Sequence, residues 1–274
     1  MAYPTIDAPY GLKPINLIGG QVFAGSTREL PITYAYATGI YYGDFVTLVR
    51  GDLQRITVST GVVGTLMGVF LGCSYTSPTT KQKIFSQYWP AGTLAGDAVA
   101  IVCDDPDTVF RAAMVSGTTV MASGARAMIG QNLAAVNNTG SVNTGNSANG
   151  VLADTSIALT AALPIRVVGL VPDTAISLGT GVYTSISTAT VTLASAISFT
   201  PTVGCDVGSL AANGQYIASG SYVASVTNST TIVLNQAPLV AFGAASTIVF
   251  TQYPEVLVKI NFGLHKYYAG TAVA

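Results

Sequence analysis

Short apolar runs, several alternating with polar positions, recur along this chain, and Gly, Pro, Asn and Ser separate them. Phe45–Val49, Leu53–Val58, Leu66–Leu71, Ala98–Cys103, Ile165–Leu170 and Val256–Phe262 all have strand length. Leu53-Gln-Arg-Ile-Thr-Val alternates apolar and polar positions, as a half-buried strand does. Thr190-Val-Thr-Leu and Thr230-Thr-Ile-Val-Leu repeat the same rhythm later in the chain. Only the stretch around Ser123–Gln131 suggests a short helix, and no window sustains a 3.6-residue period. The pattern predicts an all-β fold with a β-sandwich or barrel-like base domain. Arg50-Gly51-Asp52 lies between two of the runs. It matches an integrin-type tripeptide, but three residues are too few to be specific, and a β-turn with Gly at its tip explains them.

Breaks in the pattern divide the chain. Residues 1–30 hold Pro4, Pro9 and Pro14 and then Gly19-Gly20, which predicts an extended N-terminal arm. Its Tyr3, Ile6, Tyr10 and Leu12 suit docking on a partner. Residues 137–153 are rich in Asn, Gly and Ser and read as a loop or sheet-edge ribbon. Composition shifts near Asp173. Between Thr174 and Pro254 the only charged residue is Asp206. Within that stretch Tyr183–Leu193 weakly resembles Tyr222–Leu234. These features predict a small β domain at 175–250, inserted into a base domain of 31–174 and 251–274.

Composition narrows the function. Of the 274 residues, 50% are hydrophobic and only 8% charged, against ~25% charged in a typical soluble domain. No apolar run approaches the roughly 20 residues of a spanning helix, so no membrane role is expected. A surface this poor in charge suits burial by neighbours. The eleven Lys and Arg residues are scattered, whereas nucleic-acid binding needs a concentrated basic face. The N-terminus lacks a charged and an apolar region in signal-peptide order, which predicts synthesis in the cytoplasm. Cys73, Cys103 and Cys205 are odd in number and widely spaced, and read as small buried side chains.

Candidate chemistry is thin. His265 is the only histidine, and in Leu264-His265-Lys266-Tyr267-Tyr268 it reads as a surface or interface residue rather than a base. Asp104, Asp105 and Asp107 put three carboxylates within four residues, a weak candidate for Ca²⁺. A turn held by Asp side chains on backbone N–H groups explains them as well. Nothing brings Glu29 or Glu255 toward them, so no paired acid and base emerges. No catalytic residue, no metal and no cofactor is assigned. Tyr88 and Trp89, in the cluster Phe85-Ser-Gln-Tyr-Trp-Pro90, are contact candidates, with core packing an equal reading for Trp89.

Several segments together resemble a family of tailed-bacteriophage virion proteins found in marine and cyanobacterial phages. They are Asp7-Ala-Pro-Tyr-Gly-Leu-Lys-Pro-Ile-Asn-Leu-Ile-Gly-Gly-Gln-Val22, Tyr41-Tyr-Gly-Asp-Phe-Val46, Phe85-Ser-Gln-Tyr-Trp-Pro-Ala-Gly-Thr93, Asp104-Asp-Pro-Asp107 and Val256-Leu-Val-Lys-Ile-Asn-Phe262. The resemblance covers about 1–172 and 253–274. It implies a capsid cement, or decoration, protein on the outer capsid surface. Such a protein clamps neighbouring major capsid subunits, often as a homotrimer, with a dimer as the other option. It would be made in the host cytoplasm and carried on the virion. A virion adhesin that binds a receptor or glycan through the insert, with Tyr183, Tyr216 and Tyr222, is the alternative. A hydrolase lacks an acid–base pair, and a major capsid protein lacks its long spine helix.

Overall fold

In a computed structural model of the full chain, the described residues are 9–58, 66–153, 163–197, 199, 201, 203–209, 217–239 and 247–268. In chain order the strands are β1 Lys13–Leu17, β2 Arg28–Pro31, β3 Ile40–Tyr41, β4 Phe45–Val49, β5 Asp52–Arg55, β6 Gly68–Thr76, β7 Lys83–Ser86, β8 Tyr88–Trp89, β9 Val99–Cys103, β10 Thr108–Val115, β11 Asn132–Leu133, β12 Ala135–Val136, β13 Gly150–Leu152, β14 Ile165–Leu170, β15 Ile176–Ser187, β16 Thr190–Leu193, β17 Asp206–Ser209, β18 Val223–Asn228, β19 Thr231–Leu234, β20 Thr247–Gln252 and β21 Glu255–Ile260. Single 3-10 turns are the only helical pieces among these residues. The fold is all-β and includes a nearly closed, barrel-like sheet. The helix expected around Ser123–Gln131 contracts to one 3-10 turn, Arg126–Met128.

The chain divides into two compact units. The base unit is built from 9–122, 130–169 and 256–268, and the second unit from Ser123–Ile129 and Leu170–Glu255. The second unit is wider than the expected 175–250 insert. Strand β20 pairs with β15 and β17, so 251–252 belong to the insert's sheet and not to the base. Gly124 bridges Tyr253, which ties the 123–129 segment to the same unit.

In the base, β2-β9-β6-β4-β5 form one sheet, with β7 added on β6. A second sheet runs β11-β14-β21-β10-β13-β12, with β1 added on β10, and β3-β8 make a small ribbon. Nearly every residue of β10 is buried, as is most of β6, which is why these segments read as apolar runs rather than alternations. Between β4 and β5 the turn at Arg50 and Gly51 has φ of 55° and 95°. Two positive φ values in a two-residue hairpin loop are the type I′ geometry, so the Arg50-Gly51-Asp52 triplet is a turn. Cys73, Cys103 and Cys205 are free and buried.

The expected N-terminal arm is corrected from residue 9 onward, because that stretch is part of the base. Strand β1 pairs antiparallel with β10, and its register shifts between Pro14 and Asn16. A proline fits a sheet at such an irregularity, where no ladder donor is needed, so Pro14 is a strand residue rather than a break. Leu12 is fully buried, and β2 pairs with β9. Residues 1–8, with Tyr3 and Ile6, lie outside the described residues.

A buried polar hub joins these parts. Asp44 has no solvent exposure. Its Oδ2 meets Arg55 Nε at 2.9 Å and accepts the Tyr41 N–H at 2.9 Å. Its Oδ1 accepts from Ser147 Oγ at 2.6 Å and from Asn149 Nδ2 at 3.0 Å. Beside it the chain crosses itself closely. A Cβ on Gly11 would lie 2.7 Å from the Ser147 Cβ, and one on Gly43 would lie 2.8 Å from the Leu12 nitrogen. Both glycines also have positive φ, 76° and 92°, so no side chain fits at either. Asp44→Ala leaves Arg55 facing a dry site without its counter-charge. The expected loss is about 3–5 kcal/mol of unfolding free energy, read by urea denaturation. Ser147→Ala, which removes one of the four donors, is expected to cost about 1–3 kcal/mol.

Candidate functional site

The six contact residues expected from sequence fall into three groups. Tyr3 and Ile6 lie outside the described residues. Leu12 and Trp89 are core and not surface, because each has 0% exposure. Trp89 donates its indole N–H to the Tyr36 carbonyl at 3.3 Å and meets Tyr75 edge-on, with ring centroids 5.3 Å apart. An indole that is enclosed and satisfied offers a partner nothing. Tyr10 and Tyr88 remain half-buried. Lys13 Nζ sits 4.3 Å from the Tyr10 ring centroid, and Tyr88 stacks on Tyr41 at 5.8 Å.

The three aspartates disperse toward separate partners. Asp104 Oδ2 accepts from Arg28 and from the Tyr267 hydroxyl. Asp105 Oδ1 accepts the Asp107 N–H at 2.9 Å, the Asx turn the sequence allowed. Asp107 pairs with Lys259 at 3.3 Å. No group of His, Cys, Asp or Glu positioned to hold a metal ion occurs among the described residues.

Leu264 and His265 are buried, and around them the C-terminal segment 262–268 presents aromatic rings outward. Phe262, Tyr267 and Tyr268 are 41%, 47% and 51% exposed. The Phe262 and Tyr268 rings lie 4.5 Å apart, Lys259 Nζ stands 4.4 Å from the Phe262 centroid, and Arg28 covers Tyr267 at 5.2 Å. This is an exposed aromatic cluster over the buried Lys259, with the half-exposed Arg28 at its edge, and exposed aromatic rings are the usual anchors of interfaces. The segment is held from beneath. The Leu66 N–H donates to the Leu264 carbonyl at 3.0 Å and the Lys266 N–H to the Leu66 carbonyl at 2.7 Å. Lys266 Nζ adds a bond to the Leu48 carbonyl at 2.6 Å. Sequence reasoning quoted these residues without marking the patch. The signal present was four aromatic rings within seven residues, counting His265 between Phe262 and Tyr268.

His265, expected at the surface or at an interface, is fully enclosed within the chain. Its Nδ1 accepts the Tyr267 N–H at 3.3 Å, which puts the ring proton on Nε2. Among the described residues no acceptor meets that Nε2 in hydrogen-bond geometry. Burial pulls its pKa below the ordinary value, against the upward pull of the Asp104 carboxylate, the Asp104 and Met67 carbonyls and Asp105. The imidazole is therefore neutral in the folded protein at neutral pH. No helix among the described residues is long and apolar enough to cross a membrane. Compared with known proteins, the chain matches no family model and no curated sequence.

A histidine whose folded pKa lies below its unfolded value binds fewer protons folded than unfolded, so stability rises with pH across that interval. The contribution of neutral His265 is complete above the unfolded value of about 6.5 and declines as pH falls below it. Denaturant midpoints measured from about pH 7.5 down to 5.5 are expected to fall in the native chain. His265→Gln, which does not titrate, is expected to flatten that profile, and an unchanged slope would show that other groups set it.

Proposed function

We propose that this chain is a structural virion protein that binds the outer surface of a tailed-phage capsid and cements neighbouring major capsid subunits. It acts together with copies of itself, as a trimer or dimer, and performs no catalysis. The observation that carries this reading is the exposed Phe262, Tyr267 and Tyr268 patch on the base unit, in a chain of which only 8% of residues are charged. Phe85, 79% exposed on the added strand β7, extends the apolar surface available to neighbours. A cement protein touches several subunits at once, so modest contacts multiply through avidity. The partner proposed is taken from the motif resemblance at Asp7–Val22, Tyr41–Val46, Phe85–Thr93, Asp104–Asp107 and Val256–Phe262.

The test is binding to capsids stripped of this protein, followed by sedimentation. Phe262→Ser with Tyr268→Ser removes two exposed rings and leaves the hub untouched. Aromatic hot spots contribute about 2 kcal/mol or more each, so losing both rings is expected to lower affinity for capsids by roughly several hundredfold. Full occupancy by the double variant would remove the patch from the reading. Deleting residues 2–8, which leaves β1 and Leu12 in place, asks the same of the N-terminus. Copy number per virion decides between classes. A value near that of the major capsid protein supports cementing, and a handful of copies supports a tail or vertex adhesin.

A further inference from the structure

Across residues 174–254 the one charged side chain, Asp206, lies in a cleft. Asp206 opens β17, and Arg126 reaches it from the 3-10 turn. Arg126 Nε donates to Asp206 Oδ1 at 3.1 Å and Oδ2 at 3.4 Å, and the Tyr253 hydroxyl donates to Oδ2 at 3.0 Å. These three side chains, with Ser219, Gly220 and Ser221, line an open cleft of about 230 Å³. Burial pushes the Tyr253 phenol up from its ordinary pKa, so it stays a donor at any physiological pH.

The chemistry of this cleft selects a class of ligand. The Arg–Asp pair cancels its own charge, so neither an anion nor a cation gains net attraction. What the site keeps is directional. A carboxylate offers about four acceptor positions, and the three contacts in use leave room for an incoming hydroxyl. The guanidinium side chain is 45% exposed, and only its Nε faces Asp206. Nη1 lies over Gly220, 4.0 Å from where a Cβ would stand. Ser219 adds an exposed hydroxyl. Acceptor and donor side by side match a vicinal diol, which donates through one hydroxyl and accepts through the next. The cleft has a bare strand beside it, since a Cβ on Gly208 would meet nothing within 4 Å. Its volume falls below the ~300–1,000 Å³ of pockets that hold drug-sized ligands, which is room for one ring and not a long chain.

From these observations we infer that the second unit binds a single neutral hexose residue, free or at the end of a glycan, between Arg126, Asp206 and Tyr253. This site is independent of the capsid reading. Its residues lie in the insert unit, and the aromatic patch lies in the base.

The test is saturation-transfer NMR and calorimetry on the full chain with D-glucose, D-galactose, D-mannose and N-acetyl-D-glucosamine, each as free sugar and as methyl glycoside. At least one is expected to bind with a millimolar dissociation constant. Free sugar and glycoside arms distinguish a reducing-sugar site from one for a glycan terminus. Asp206→Asn and Arg126→Gln are each expected to weaken binding about tenfold, the loss of one charged hydrogen bond. Gly208→Tyr should abolish binding by filling the cleft while leaving the Arg–Asp pair in place, and it decides the matter where a charge variant fails to fold. Phe262→Ser with Tyr268→Ser should leave sugar binding unchanged. No binding of any probe at millimolar concentration, or binding that survives Gly208→Tyr, overturns the inference.

Discussion

Asp44 holds its carboxylate in a place that water does not reach, and four donors from three distant stretches of chain converge on it. Arg55 comes from β5, Tyr41 N–H from β3, and Ser147 and Asn149 from a segment a hundred residues further on. The same segment then reaches outward. Gly11 donates to the Asn149 carbonyl at 3.0 Å, and Arg55 Nη2 donates to the Asn138 carbonyl at 2.6 Å. Asn137 pairs with Val58 in both directions, at 2.6 and 3.0 Å. Burial drives the Asp44 pKa upward against Arg55, Ser147 and Tyr41. Desolvation is thus the larger effect, and the hub's value lies in fixing which segments meet rather than in net binding energy. Once an ionised carboxylate is enclosed, only one arrangement of the four donors satisfies it, and β1, β4 and β13 are placed by that requirement.

The insert solves the opposite problem, a core with almost no charge to organise it. Its buried residues include Val191, Leu193, Ile232, Leu234, Ile248 and Phe250, from β16, β19 and β20, which alternate inward and outward. The two similar sequence segments are two hairpins. Strand β15 pairs with β16 and β18 with β19, and β16 and β19 then pair with each other. Ser and Thr on the outward positions satisfy hydration without charge. A poorly charged surface therefore coexists with a well-ordered sheet, and the single Arg–Asp pair stands out against it.

Strand positions were legible over much of the chain, although the Leu53–Val58 run is strand only to Arg55 and the Leu66–Leu71 run is strand only from Gly68. Val99–Cys103, Ile165–Leu170 and Thr190–Leu193 appear at the residues their patterns predict, because alternation follows directly from the pleat. The Arg50-Gly51 turn was legible for an equally local reason. The contact surface was not. Trp89 and Leu12 carried the anchor chemistry yet are enclosed, while Phe85, Phe262, Tyr267 and Tyr268 face solvent. Apolar side chains look alike in sequence whether the next layer covers them or leaves them bare.

The sequence by itself determined the all-β class, the strand rhythm and the charge-poor character of the later half, since these depend on neighbours along the chain. Tertiary structure alone decided what the polar residues do. An Asn-, Gly- and Ser-rich stretch with the look of a loop or sheet-edge ribbon supplied two of the four donors around Asp44. Pro14, with the look of a break, became part of an edge strand. His265 went inside, and Asp104, Asp105 and Asp107 dispersed to Arg28, a turn and Lys259. Each of those outcomes is set by a partner far away in sequence. Burial and hydrogen-bond pairing over such separations leave no periodic trace that a single chain of letters can display.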